Sequence, residues 1–195
     1  MTHIPAVFHL PLAVPFWAIF FIAFVREARV VRPALAEKPS VQDAGTFRAL
    51  MIGSSLALLA AAAASFLPWF TIPGSTLASV AGMVLIVAGA VLRRYCFYAL
   101  GKSFTGVVVV KEGQQVVQTG LYRFVRHPSY TAALTMFIGV GLAFGSWISL
   151  GILFFVHCYL YGRRVAVEER ALVATLGNAY ADYMLRTKRF IPFVI

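Results

Sequence analysis

Charge is scarce in this chain. Asp, Glu, Lys and Arg make up 12% of its 195 residues, where a soluble domain carries roughly 25%. No formal charge precedes Arg26, none falls between Arg48 and Arg93, and none between Arg126 and Arg163. A bilayer core of about 30 Å takes roughly 20 apolar residues per helix, so these gaps read as membrane spans. A water-soluble globular domain is excluded. Cysteine is equally sparse: Cys96 and Cys158 sit at the end of one apolar run and inside another, which leaves no disulfide framework and no metal-ligand spacing. HExxH, a Gly-rich phosphate loop after a strand, and Gly-x-Ser-x-Gly are all missing, so the common hydrolase and nucleotide fingerprints do not apply. The N-terminal run has neither a basic flank before it nor a small-x-small site after it, and no cleaved signal peptide is expected.

What is present is apolar mass with a basic balance. Hydrophobic residues make up 61% of the chain and the mean hydropathy is +0.83. The net charge of +10 has a simple cause in a membrane protein, because Lys and Arg collect on the cytoplasmic side. Anionic lipid headgroups are the expected partner for that excess, and nucleic acid is not.

The runs predict five spans, at 7–25, 49–66, 76–95, and two sharing 130–162 with a break near Gly145-Ser146. Pro11 and Pro15 would kink the outer end of the first. The last stretch is short for two full crossings, so a tight, shallow hairpin is expected. With the N-terminus outside, the inner segments 26–48, 93–127 and 163–195 hold all 17 Lys and Arg, as five, six and six. The outer turns hold none, which predicts an external N-terminus and a cytoplasmic C-terminus.

The first three spans read as scaffold. Residues 57–64 are nearly all small, and Gly82 and Gly89 lie seven apart on one helix face, as close helix packing in lipid requires. The stretch from Lys38 to Gly45 reads as a polar loop. Between 106 and 117, two valine-rich pieces flank Lys111-Glu112-Gly113 and predict short extended segments around a turn. Residues 163–176 predict a separate amphipathic surface helix with Val165, Ala171, Leu172 and Leu176 toward lipid, ended at Gly177-Asn178. A short helix over 179–185 and a basic tail along the membrane surface follow.

The charged residues beside the hairpin carry the chemistry. Arg126-His127-Pro128-Ser129-Tyr130 stands at its first foot, where Pro128 suits the first turn of a helix. At the second foot Arg164 and Glu168 are four apart and share a face, while Glu169 turns about 100° away and reads as solvated or structural. Ionisable groups at such depth are costly and tend to be functional. His127 suits a general base or a donor to a carboxylate, or an interfacial histidine. Arg126 suits snorkelling to phosphates. Tyr122 and Tyr130 suit interface aromatics or the walls of a ligand's polar end.

Taken together, three segments resemble the isoprenylcysteine carboxyl methyltransferases. They are Gln114-Gln115-Val116-Val117-x-x-Gly120-Leu121-Tyr122, Arg126-His127-Pro128-Ser129-Tyr130, and Arg164-x-x-x-Glu168-Glu169 with Leu176-Gly177-x-x-Tyr180-x-x-Tyr183. The resemblance covers roughly residues 100–195. The first hundred match only in hydrophobic layout. Phospholipid and small-thiol methyltransferases share parts of the pattern, as does the C-terminal part of the NADPH-using sterol reductases.

The resemblance implies an all-α integral membrane fold of about five transmembrane helices, with a C-terminal helical hairpin and a cytoplasmic cofactor-binding loop and tail. One structural domain is expected, with residues 1–98 as a three-helix scaffold and 99–195 as the methyltransferase core. By carry-over, Gln114, Gln115, Val116, Val117, Tyr122, His127, Pro128, Ser129, Tyr130 and Glu168 would bind S-adenosylmethionine, with Glu168 on its ammonium and His127 and Tyr130 on its carboxylate. Arg164 would be the catalytic, substrate-holding residue on the acceptor's carboxylate. No metal is expected. The acceptor would be a lipid-like small molecule at the cytoplasmic face of a bacterial inner membrane or an endoplasmic reticulum. A phospholipid amine or small thiol as acceptor, a reductase using NADPH, and a non-catalytic scaffold are the alternative readings. The family often has His where this chain has Gln114.

Overall fold

The computed structural model describes residues 4–36, 43, 45–101 and 115–191. Among them regular structure is helical: α1 (Ala13–Ala36), α2 (Thr46–Ala64), α3 (Ser75–Leu100), α4 (Pro128–Ala143), α5 (Trp147–Leu176) and α6 (Asn178–Arg186), with short 3-10 turns at Ala6–Phe8, Pro68–Phe70 and Gly120–Arg123. Three of them, α2, α3 and α5, are long and apolar enough to cross a membrane. At ~1.5 Å per residue the 16 residues of α4 reach about 24 Å, less than a bilayer core of about 30 Å. The 30 residues of α5 exceed that thickness. The hairpin is therefore lopsided, and the surplus of α5 carries Arg164, Glu168 and Glu169 beside the first turn of α4.

The break falls where expected. Gly145 takes a positive φ of 65°, a conformation that costs a glycine little. Ser146 then caps α5, its side chain accepting from Ser149 N. The turn after α2 meets this break: Ile72 N donates to Gly145 O at 2.9 Å, and Thr71 and Ser146 form an isolated bridge. Both hairpin tips thus lie at one end, opposite the feet that carry the charges.

Small residues set how closely the helices approach. A Cβ on Gly139 of α4 would sit 2.6 Å from Gly82 O of α3, and one on Gly89 would sit 2.7 Å from Ala132 O. The backbones of α3 and α4 touch there, as the Gly82/Gly89 spacing predicts. Ser79 Oγ closes the same seam by donating to Ala143 O at 2.8 Å. On the other side α2 packs on α5, where the small Ala57 and Ala61 are buried and Ser149 Oγ donates to Ala61 O at 2.6 Å.

Three expectations are corrected. The first helix starts at Ala13, not near residue 7, because a 3-10 turn and Pro11 precede it. No separate surface helix begins at 163, since α5 runs unbroken to Leu176 and ends at Gly177, with φ 57°. Val165 and Ala171 do not face lipid. Both are buried in the protein, because Val165 shares its face with Glu169, which Arg126 and His127 cover. The extended pieces expected over 106–117 lie mostly outside the described residues, and Gln115, Val116 and Val117 have no regular structure.

Candidate active site

The C-terminal tail folds back onto the first foot of the hairpin. Arg126 N donates to Lys188 O at 2.8 Å and His127 N to Arg189 O at 2.9 Å, while Thr131 Oγ1 donates to Phe190 O at 2.9 Å. The bond from His127 satisfies the N-cap donor of α4, one of those a helix start leaves unpaired. Tyr180 and Tyr183 of α6 are buried. Burial pushes the Tyr183 hydroxyl up to about 12, and that group donates to Tyr122 O at 2.5 Å.

Glu169 joins foot and tail. Its Oε1 accepts from Arg126 Nε at 2.9 Å and meets His127 Nε2 at 3.3 Å, and its Oε2 accepts from Arg189 Nε at 2.9 Å. Arg126 also donates to Met184 O and Thr187 O. Glu169 is 4% exposed, so of the two readings open to it, the structural one holds and the solvated one does not. Arg126 is a bridge between segments, not a residue snorkelling to phosphates. His127 is buried with its Nε2 turned to Glu169.

One turn away lies a second network. Tyr130 Oη donates to Glu168 Oε2 at 2.8 Å and accepts from Arg164 Nε at 2.9 Å. The spacing of Arg164 and Glu168 does place them on one face, and the tyrosine from the opposite foot bridges them. Arg164 is buried and its Nη1 also reaches Asp43 Oδ1 at 3.1 Å and Thr46 Oγ1 at 3.3 Å. The pair is thus no solvated ion pair.

The other expected site residues are gathered less completely. Pro128 begins α4 and is buried. Ser129 follows, and its carbonyl accepts from Arg93 Nη1 at 2.6 Å. Tyr122 is buried, and its hydroxyl has no hydrogen-bond partner among the described residues. Burial raises its pKa, so the group is a neutral phenol. Val116 and Val117 are half-buried and Gln115 is exposed. Gln114 lies outside the described residues.

Sequence reasoning missed Asp43, Arg93 and Glu27. Arg93 meets Glu27 at 2.5 Å and so ties α1 and α3 to the first turn of α4. Their one visible signal was position, each standing at the end of an apolar run. Asp43 gave no such signal within its polar loop.

Comparison with known proteins places the chain beside one group of enzymes. Residues 81–174 match the model of the isoprenylcysteine carboxyl methyltransferase (ICMT) family. The chain is 30% identical over 115 residues to protein-S-isoprenylcysteine O-methyltransferase B of Arabidopsis thaliana, covering 58% of each protein. It is 32% identical over 120 residues to protein-S-isoprenylcysteine O-methyltransferase of Saccharomyces cerevisiae, covering 60% of this chain and 50% of that one. The match therefore spans little more than half the length of these relatives. The solved structure of a eukaryotic intramembrane Ras methyltransferase, ICMT, superposes with a TM-score of 0.64 at 23% identity, over 72% of this chain and 52% of that one. That likeness shows the fold, an all-helical integral membrane architecture. Residues 81–174, which hold both feet of the hairpin, are thus similar to the isoprenylcysteine carboxyl methyltransferase family.

Proposed function

We propose that this protein transfers a methyl group from S-adenosylmethionine to the carboxylate of a lipid-like, isoprenylcysteine-type acceptor. The observation that carries the reading is the Arg164–Tyr130–Glu168 network, which sets a cation and an anion on one bridging hydroxyl.

The residues fit the cofactor. Glu168 is half-buried and suits a ligand ammonium. The buried Tyr122 hydroxyl, which has no hydrogen-bond partner among the described residues, suits a polar atom of the same ligand. His127, Pro128, Ser129 and Tyr130 line the turn beside them, and the resemblance adds Gln114, Gln115, Val116 and Val117 to the cofactor-binding set. S-adenosylmethionine, when bound, supplies a methyl group on a positively charged sulfur. Arg164 receives the acceptor carboxylate through charge-assisted hydrogen bonds, the strong kind for a guanidinium.

No proton has to move, because a carboxylate nucleophile is already ionised. The residues therefore act by proximity, orientation and exclusion of water. Tyr161 helps here: it is buried, and its ring packs 5.2 Å from that of Tyr130. An amine acceptor would need a base to remove its proton, and the nearby imidazole of His127 is already turned to Glu169. An NADPH phosphate would meet the carboxylates of Glu168 and Glu169 at this foot, and Glu169 already engages Arg126 and Arg189. These observations favour the carboxylate acceptor.

The five-crossing arrangement, with the N-terminus outside and the site at the cytoplasmic face, belongs to the same proposal and rests on the basic-residue distribution. An acceptor tail that partitions into lipid would reach the hairpin feet from within the bilayer.

The test is methyl transfer from labelled S-adenosylmethionine to a farnesylated cysteine with a free carboxylate, in detergent. Its methyl ester, phosphatidylethanolamine and a small alkyl thiol serve as comparisons. Turnover of the free acid alone is expected, and Arg164→Ala should lower kcat/KM by about a hundredfold or more, as loss of a charge-assisted contact of about 3 kcal/mol implies. Turnover of the amine or thiol in its place would assign another acceptor.

A further inference from the structure

The guanidinium of Arg164 is held from two sides. Tyr130 of the hairpin holds Nε. The N-terminal half of the chain holds Nη1, through Asp43 Oδ1 at 3.1 Å and Thr46 Oγ1 at 3.3 Å. This second support is itself anchored. Asp43 Oδ2 accepts the backbone N–H of Phe47 at 3.0 Å, and the Thr46 hydroxyl donates to Asp43 O at 2.9 Å. Both bonds fall in the first turn of α2. The Phe47 ring lies beneath the cation, 5.6 Å from its centroid to Cζ.

Helix capping alone does not account for this geometry. A capping carboxylate works well at a solvated helix start, where its charge stays hydrated. Asp43 is 2% exposed and Arg164 4%. Burying two charges is expensive unless geometry and further hydrogen bonds compensate. Such an arrangement fixes a guanidinium's plane, because its donors leave in set directions. The two residues are 121 positions apart, and Asp43 lies outside the family match at 81–174.

We propose that Asp43 is a positioning residue for Arg164: anchored to the first turn of α2, it sets the plane in which the guanidinium meets the acceptor carboxylate. The proposal rests on the reading of Arg164 as the group that receives the acceptor. The N-terminal helices then contribute to acceptor recognition and are not scaffold alone.

Asp43→Asn separates positioning from capping. Asparagine keeps an oxygen for the Phe47 N–H and removes the charge paired with Arg164. Two readouts apply in detergent. The first is the Nε–H resonance of Arg164 in protein with 15N-labelled arginine, identified by its loss in Arg164→Lys. The second is kinetics with a farnesylated cysteine, alongside S-adenosylhomocysteine binding by calorimetry. The expected result is a guanidinium that rotates faster in Asp43→Asn, with acceptor KM raised roughly tenfold, as loss of a charge-assisted hydrogen bond implies. S-adenosylhomocysteine affinity should change little. Should Asp43→Asn not fold, Thr46→Val removes one acceptor of the guanidinium, keeps the charge, and should shift both readouts the same way by less. An Arg164 resonance unchanged in the folded variants, with unchanged acceptor KM, overturns the proposal. Faster rotation in a protein whose wild type methylates no farnesylated cysteine upholds the positioning and removes the acceptor reading.

Discussion

Glu168 and Glu169 are neighbours in sequence with opposite duties in the fold. The turn of about 100° between them sends Glu168 to Tyr130 and Glu169 to Arg126, His127 and Arg189. That division was legible in the sequence as a change of helix face, together with the pairing of Arg164 and Glu168. The partners of Glu169 were not, because they come from the first foot and from a tail whose return no local pattern encodes. Asp43 was hidden for the same reason: its contact with Arg164 joins distant segments, and the surrounding residues look like any polar loop. Glu169→Ala should destabilise the folded protein by about 3–5 kcal/mol, the usual cost of leaving a buried charge without its partner. Denaturant unfolding in detergent measures this, and Glu169→Gln should fall between the variant and the wild type. An unchanged unfolding curve for Glu169→Ala would mean that Arg126, 8% exposed in its side chain, is solvated instead.

At the scale of elements, apolar runs and turn residues carried most of the information. The break at Gly145-Ser146 was legible because a glycine at positive φ and a serine cap are local chemistry. Continuity of α5 past Gly162 was not, since the onset of charge at Arg163 marks a change of surroundings and not a change of backbone. The length of α5 decides the site, because a helix ending at 162 would leave Arg164 and Glu168 on a separate segment. The α3–α4 seam is its counterpart, holding the first turn of α4 against α3. Gly139→Ala places a Cβ 2.6 Å from Gly82 O and 2.8 Å from Ile86 N. Overpacking of this kind costs about 1–3 kcal/mol. Gly151, on α5, has nothing within 4 Å of a Cβ, and Gly151→Ala should be neutral or gain up to about 1 kcal/mol from helix propensity. Thermal unfolding of the two variants side by side checks the seam. Equal midpoints would contradict a backbone-to-backbone contact between α3 and α4.

For the whole molecule, composition was enough to assign a membrane protein of helices, and the charge gaps located its runs. How those runs assemble was not legible. The tips of the two hairpins meet through Ile72 and Gly145, which brings the opposite, charged ends of α2, α4 and α5 together. Arg164 then gains partners from α2 and α4 at once. The family match covers the hairpin and both of its feet, while the support that Asp43 and Thr46 give Arg164 comes from outside it. The most direct test of the account is calorimetric titration of detergent-purified protein with S-adenosylhomocysteine, wild type against Glu168→Ala, with NADPH titrated in parallel. The account predicts saturable S-adenosylhomocysteine binding by the wild type, weakened about tenfold or more in the variant, as loss of a hydrogen bond to a charged group implies, and no binding of NADPH. Folded wild-type protein that binds NADPH and not S-adenosylhomocysteine, or binds neither, would contradict it.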